Sequence, residues 1–134
     1  MIEIATGNLL KAHAQALVNT VNTKGVMGKG IARQFRDVYG AMYQKYVEDC
    51  KAGRVQLGKM HVYDLGGVIE DGPRYIINFP TKGHWKSQSK LLDIEEGLRD
   101  LIKCIRILSI ETIALPPLGC GNGGLEWSDV KPQI

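Results

Sequence analysis

The chain lacks any apolar run approaching the ~18 residues that a membrane-spanning helix needs, and its N-terminus lacks the basic then apolar pattern of a secretory leader. A membrane span and export are therefore not expected, and a cytoplasmic location is. Cysteine is scarce: Cys50, Cys104 and Cys120 are odd in number, widely spaced and without a CxxC pair. That argues against a disulfide framework and a thiolate zinc site, and predicts reduced thiols. His13 and His61 have no metal-ligand spacing between them, so no metal is expected and neither is assigned a role. No GKS or GKT stands at Walker spacing, and GCGNGG at 119–124 lacks the downstream acid of a dinucleotide fingerprint. A phosphate site of another kind is left.

Glycine, by contrast, is plentiful: 16 among 134 residues, nearly twice the typical ~7% share. The glycines cluster in loops without forming a repeat, and so mark special backbone positions. With 44% hydrophobic and 23% charged residues, the chain suits one compact domain over 1–134. Its net charge of +3 suits a polyanionic partner without requiring one.

Two stretches dominate the reading. At 16–32, an apolar run enters two asparagines three apart, Asn19 and Asn22, and leaves through Gly25, Gly28 and Gly30. This is the pattern of a buried strand, a ligand loop and a helix start, where backbone N–H groups attract an anion. At 112–124, a short buried strand opens into PPLGCGNGG. Two glycine loops that each follow a buried strand both lie at strand C-terminal ends, where open α/β sheets bind ligands. A phosphate-bearing ligand between them is expected, the bland alternative being turns whose asparagines satisfy local backbone.

The remaining pattern predicts a strand over 1–5, a short helix within 9–15, and a helix on Ile31, Phe35, Val38 and Met42 that breaks near Gly40 before a second helix. Alternation over 59–65, the turn Glu70-Asp71-Gly72-Pro73 and a returning strand over 74–79 predict a hairpin that Pro80 ends. The clearest helix carries Leu91, Ile94, Leu98, Leu101, Ile102 and Ile105 as one stripe, with Ser87 or Ser89 as its cap. Trp127 and Ser128 open a further helix that is not complete at Ile134. Strands alternating with helices imply an α/β sheet packed on both sides.

Four ordered motifs, TGNLL at 6–10, ALVNTVNTKGVMGKGIA at 16–32, INFPTKGHWK at 77–86 and ALPPLGCGNGGLEW at 114–127, make the chain resemble a macrodomain. The resemblance covers nearly the whole chain and is closest to the DarG-like antitoxin macrodomains, which remove ADP-ribose from DNA. It implies a three-layer α/β/α fold with a mixed, mostly parallel sheet. It also implies ADP-ribose as ligand or product without a further cofactor, ADP-ribosylated DNA as substrate, thymine as the modified base, and a cognate DarT-like transferase toxin as partner. Proteins of this group carry a further toxin-binding domain beyond the span that the resemblance covers. A monomer is expected.

Residue by residue, the resemblance implies that the backbone of Gly119, Cys120, Gly121, Asn122, Gly123 and Gly124 cradles the diphosphate, while Val26, Met27, Gly28 and Gly30 line the other side. Leu9, Asn19, Thr20, Ile31, Pro117 and Leu118 are further ligand-binding candidates. Asn22 is placed at the distal ribose. Many macrodomains carry Asp where Asn8 stands to accept from the adenine amine; an amide oxygen accepts too, more weakly than a charged group. Related hydrolases acting on glutamate-linked ADP-ribose carry a catalytic Asp at the place of Gly123, so their Lys/Asp pair is not carried over.

Lys82 is the residue expected to carry chemistry, with Asn22 holding the anomeric centre. An amine desolvated beside Lys24, Lys29 or protonated His84 has a lowered pKa and becomes a nucleophile able to form a Schiff base with the opened ribose. The competing reading keeps Lys82 charged, stabilising the departing base or positioning water. Lys29, Thr81, His84 and Trp85 are further candidates for contact with the substrate or DNA, His84 through proton exchange and Trp85 through stacking. Lys86, Lys90, Arg33 and Arg36 are candidate phosphate contacts. Cys120 lacks the His/Asp signature of a thiol nucleophile and reads as a small residue fitting a tight loop. Binding without turnover, or removal of the phosphate from ADP-ribose 1''-phosphate, are the alternative functions.

Overall fold

The computed structural model describes residues 2–4, 9–66, 72–84 and 86–118. The glycine loop at 119–124, Asn8, Trp85 and the expected helix at Trp127 lie outside them, as do Glu70 and Asp71 of the hairpin turn.

Five strands form one mixed sheet: β1 (Ile2–Ile4), β2 (Ala16–Asn22), β3 (His61–Asp64), β4 (Tyr75–Lys82) and β5 (Ile113–Leu115), in the order β1-β5-β2-β4-β3. All neighbours are parallel except β3, which returns antiparallel along β4 as the expected hairpin. The central strands are near-continuous apolar runs because both faces are covered. On one face Ala16, Val18, Ile77, Phe79, Ile113 and Leu115 pack with Ile94, Leu98 and Leu101 of α3 (Leu91–Ile107). On the other, Leu17, Val21, Ile76 and Ala114 meet Phe35 of α1 (Gly30–Val38) and Met42 and Tyr46 of α2 (Gly40–Lys51). The result is the three-layer α/β/α arrangement that the alternation of elements implies.

Several expectations are corrected. The helix break at Gly40 is present, but it ends α1 at Val38, so Val38 is 61% exposed instead of continuing the stripe. The first short helix is a single 3-10 turn, Leu9–Lys11. Ile102 stands off the α3 stripe, at 44% exposure. Neither Ser87 nor Ser89 caps α3, whose N-cap position is Lys90, without a side-chain cap bond. Pro80 does not end β4 either. It pairs with Val21 in the ladder, a register shift follows, and Lys82 pairs with Asn22, so the strand runs two residues past the proline. A bulge suits this place, because the proline has already removed one ladder donor.

Two contacts lock the layers. Gly97, inside α3, rests against the far end of the Phe79 ring, and a Cβ there would overlap it. On the opposite side, Asp49 of α2 is buried, 2.8 Å from His61 Nε2 on β3 and within 3.0 and 3.3 Å of Arg54 and Lys45. The hydrogen bond with His61 in the main, helped by Arg54 and Lys45, holds the Asp49 carboxyl at about 2, against the opposing effect of burial.

Both are testable by urea unfolding. Gly97→Ala should destabilise by about 1–3 kcal/mol, the overpacking cost exceeding the ~1 kcal/mol that alanine gains in a helix; an unchanged or higher midpoint would contradict the close approach. Because the folded carboxyl is held below its unfolded value, the Asp49 contribution is present above pH ~4 and lost as pH falls through about 2. It amounts to roughly 2 kcal/mol. Asp49→Asn should therefore be less stable at pH 5 and lose less than the parent between pH 5 and 2.5.

Candidate active site

The C-terminal ends of β2 and β4 meet at one place in the sheet, and their last ladder partners are Asn22 and Lys82. Beyond them the Thr23 N–H and hydroxyl both donate to the Gly83 carbonyl, each at 3.1 Å, which keeps the two exit loops together. Thr81, left out of the ladder by the register shift, is buried, with its hydroxyl 3.5 Å from the Val21 carbonyl oxygen.

Asn22 builds the loop that follows it. Its Nδ2 donates to the Val26 carbonyl at 2.7 Å, while Oδ1 accepts from the N–H groups of Lys24 (2.9 Å) and Val26 (3.3 Å). The Tyr46 hydroxyl of α2 lies 2.7 Å from the Asn22 carbonyl oxygen and 3.0 Å from Oδ1, sharing its proton between them. Burial, followed by the neighbouring Cys50, pushes the Tyr46 phenol far up, so it remains a donor. Oδ1 is thus saturated, and among the described residues the second hydrogen of Nδ2 has no acceptor. What the Asn22 amide has to offer a further group is a donor, held in place by its own loop and by Tyr46, not the donor-and-acceptor pair that an amide brings in principle.

Under this loop runs a polar chain through the core. Asn19 Nδ2 donates to Asn78 Oδ1 at 3.1 Å and approaches the Met27 sulfur at 3.7 Å. Asn78 Nδ2 reaches the Met42 sulfur at 3.3 Å and His61 Nδ1 at 3.0 Å. Because Asn78 Oδ1 is spoken for, its amide must donate to His61; Nδ1 is then the acceptor, and Nε2 carries the hydrogen given to Asp49. Asn19 and Asn78 are fully buried, and Asn19 Oδ1 has no partner among the described residues.

Lys82 is half-buried at the strand end. Burial lowers its pKa first, and the positive charge of Lys29 lowers it further. Lys29, exposed at the N-cap of α1, is the neighbouring cation that acts on it. His84 Nδ1 accepts from the Lys86 N–H at 3.0 Å, and its carbonyl from the Ser87 N–H at 2.9 Å, so the imidazole organises the turn after β4.

The structure separates the other candidates into two groups. Val26, Gly28, Lys29, Gly30 and Ile31 form the loop and first turn of α1, half-buried or exposed, and Gly30 has φ 58°, which favours glycine. Leu9, Asn19, Met27 and Leu118 are buried in the core, so their side chains support the site from behind. Thr20 is half-buried on β2 and Pro117 is exposed after β5. Sequence reasoning missed Tyr46, Asn78, His61 and Asp49. Only Asn78, a polar residue inside the apolar run YIINF, left a trace in the sequence.

Comparison with known proteins places the fold. The Macro domain family profile matches residues 18–134. A DNA ADP-ribosyl glycohydrolase of Thermus aquaticus is 54% identical over 134 residues, all of this chain and 37% of that protein. The chain thus spans little more than a third of the length of that relative. The solved macrodomain of Mycobacterium tuberculosis DarG superposes with a TM-score of 0.94 at 56% identity, covering 99% of this chain and 86% of that one. Thermosipho africanus DarTG in complex with ADP-ribose superposes at 0.89 with 36% identity, over 98% of this chain and 37% of the other. With a profile match over most of its length and relatives of this identity, the chain belongs to the macrodomain family.

Proposed function

We propose that this macrodomain hydrolyses the glycosidic link between ADP-ribose and a DNA base, and that it is the antitoxin half of a pair whose other member is a DarT-like ADP-ribosyltransferase. The observation that carries the reading is Lys82, half-buried beside Asn22, with an amine made less basic by burial and by Lys29. An amine so placed serves as a nucleophile instead of a permanent cation. The reading is supported by the name of the Thermus relative and by the Thermosipho protein, a DNA ADP-ribosyl transferase–glycohydrolase fusion 35% identical over 146 residues.

In the reaction, the neutral Lys82 Nζ forms a bond to the anomeric carbon while the carbon–base bond breaks. The base leaves with the electron pair and takes up a proton. Opening of the ribose ring makes a protonated Schiff base; water adds to the same carbon, the carbon–Nζ bond breaks, and ADP-ribose and the free amine are restored. No cofactor enters. Asn22 donates to a ribose hydroxyl and keeps the carbon in line, and Tyr46 keeps Asn22 in place.

Incubation with an ADP-ribosylated oligonucleotide, an ADP-ribosylated protein and ADP-ribose 1''-phosphate tests the assignment, and consumption of the oligonucleotide is expected. Consumption of the phosphate ester alone would make the protein a phosphatase, and binding of ADP-ribose without turnover a reader. Lys82→Ala should abolish release while leaving ADP-ribose affinity largely intact, and borohydride should trap an adduct on the parent but not on the variant. Full activity in Lys82→Ala would remove Lys82 from the chemistry. Removing the neighbouring charge with Lys29→Met should raise the Lys82 pKa and move the rising limb of the pH–rate profile to higher pH.

Asn22→Ala should lower both affinity and rate, because the loop at 22–26 loses its organiser. Tyr46→Phe is the finer test. It should preserve ADP-ribose affinity within a few-fold and lower kcat by about tenfold, toward the 10²-fold that a 1 Å misplacement costs. Calorimetry with ADP-ribose and single-turnover rates separate the two effects.

A further inference from the structure

The charges of this chain are segregated. From Ala16 through Phe35, and again from Tyr75 through Leu92, the chain carries Lys24, Lys29, Arg33, Lys82, Lys86 and Lys90 and no carboxylate at all, although the whole protein holds 17 cations against 14 acids. The remainder of the chain is therefore net acidic. These segments are β2 with its exit loop and α1, and β4 with its exit loop and the start of α3. The register of Asn22 with Lys82, the double bond from Thr23 to Gly83 and the effect of Lys29 on Lys82 bring their exits to one side of the sheet. Lys29 and Arg33 are one helical turn apart, with the Arg33 N–H donating to the Lys29 carbonyl. Lys86 sits in the turn built on His84, and Lys90 at the N-cap of α3.

Lys24, Lys29, Arg33, Lys86 and Lys90 are exposed, and none of them forms an ion pair among the described residues. The cations elsewhere behave differently: Arg36 pairs with Asp37, Lys45 and Arg54 with Asp49, and Arg74 with Asp64. A rim of cations that find no acid among the described residues, set around a half-buried lysine, is a costly place to concentrate charge, since like charges repel. It also exceeds what one diphosphate needs, as that group is of the kind bound by backbone N–H groups at glycine loops.

We infer that this rim, Lys24, Arg33, Lys86 and Lys90 around Lys82, binds the sugar-phosphate backbone of a single DNA strand on either side of the modified base. The inference rests on the glycohydrolase reading for its substrate and adds a second recognition element to it, one that grips the polymer and not ADP-ribose. A single strand is the occupant, because an enzyme acting on a base needs it out of the duplex stack. Phosphate contacts of this type position the substrate without reading sequence.

The test compares the parent with Arg33→Gln/Lys86→Gln/Lys90→Gln on an ADP-ribosylated trinucleotide and on a single-stranded ADP-ribosylated oligonucleotide longer than the ~4–16 nucleotides that one strand-binding site covers. On the parent, the long substrate should show a KM about tenfold lower at low salt, an advantage that salt erases. On the variant that advantage should vanish while kcat on the trinucleotide is unchanged, and the slope of log affinity against log salt should fall by about 2, at ~0.7 per lost contact. Fluorescence anisotropy with an unmodified labelled strand gives a readout independent of turnover, and should weaken at least fivefold in the variant. A variant that keeps both the length advantage and the salt slope overturns the inference. If the parent consumes neither substrate, the glycohydrolase reading fails by itself, and anisotropy still decides the rim: loss of strand binding in the variant upholds it, and unchanged binding overturns it.

Discussion

The arrangement depends on a pair of buried asparagines. Asn19 and Asn78 are register partners on the two central strands, and the bond between their amides joins side chains that have no access to water. Burying an amide costs about 1–3 kcal/mol when its hydrogen-bonding groups are left unmade. A slip of either strand by one residue would turn its own amide to the opposite face, into the apolar layer under α3, and leave the other amide without its partner. The pair therefore fixes the register of β2 against β4 more firmly than apolar side chains alone, and that register brings Lys82 beside Asn22. Orientation travels the same way, from Asp49 through His61 to Asn78, since each donor in the chain has one acceptor it can face.

The site is thus a property of strand ends, and α2 supplies the stiffness. Tyr46 faces the core between Asn22, which its hydroxyl holds, and His61, whose ring lies edge-on at 6.1 Å. Met42, Tyr46 and Asp49 lie on one face of the helix and touch, in order, Asn78, Asn22 and His61. One helix thereby sets both the loop that approaches the ligand and the strand that carries the lysine. Preorganisation of this kind suits a nucleophile that must meet a single carbon, because geometry can account for much of the barrier lowering.

Much of the fold was legible in the sequence, because the central strands and α3 obey strong periodicities and the glycine loops mark their ends. The pairing of Lys82 with Asn22 was legible only as a shared sheet edge. The extension of β4 past Pro80 was not: a proline in a strand signals its end unless a register shift follows, and a shift depends on the partner strand. The serine caps failed because Lys90 takes the N-cap and Ser89 is buried, its hydroxyl finding no partner among the described residues. Tyr46, His61 and Asp49 were illegible for a different reason. Each looks like an ordinary member of a helix stripe or an edge strand, and their meaning arises from contacts 12 to 24 residues apart in the chain.

Catalysis and binding make opposite demands on the same charges. On the proposed reaction the Lys82 amine is made less basic in part by Lys29, whereas a substrate with phosphates on the strand and in ADP-ribose brings anions that oppose the field of Lys29 and raise that basicity again. The order of the two causes resolves the conflict. Burial depresses the Lys82 pKa more than Lys29 does, and burial deepens when a ligand covers the cleft and expels water. On the proposed reaction the desolvation that substrate adds offsets the charge it neutralises, so the lowered basicity of the amine is kept when substrate is bound. Exposed Lys29 remains available to draw the anion in, while half-buried Lys82 keeps most of its altered basicity from its position at the end of β4.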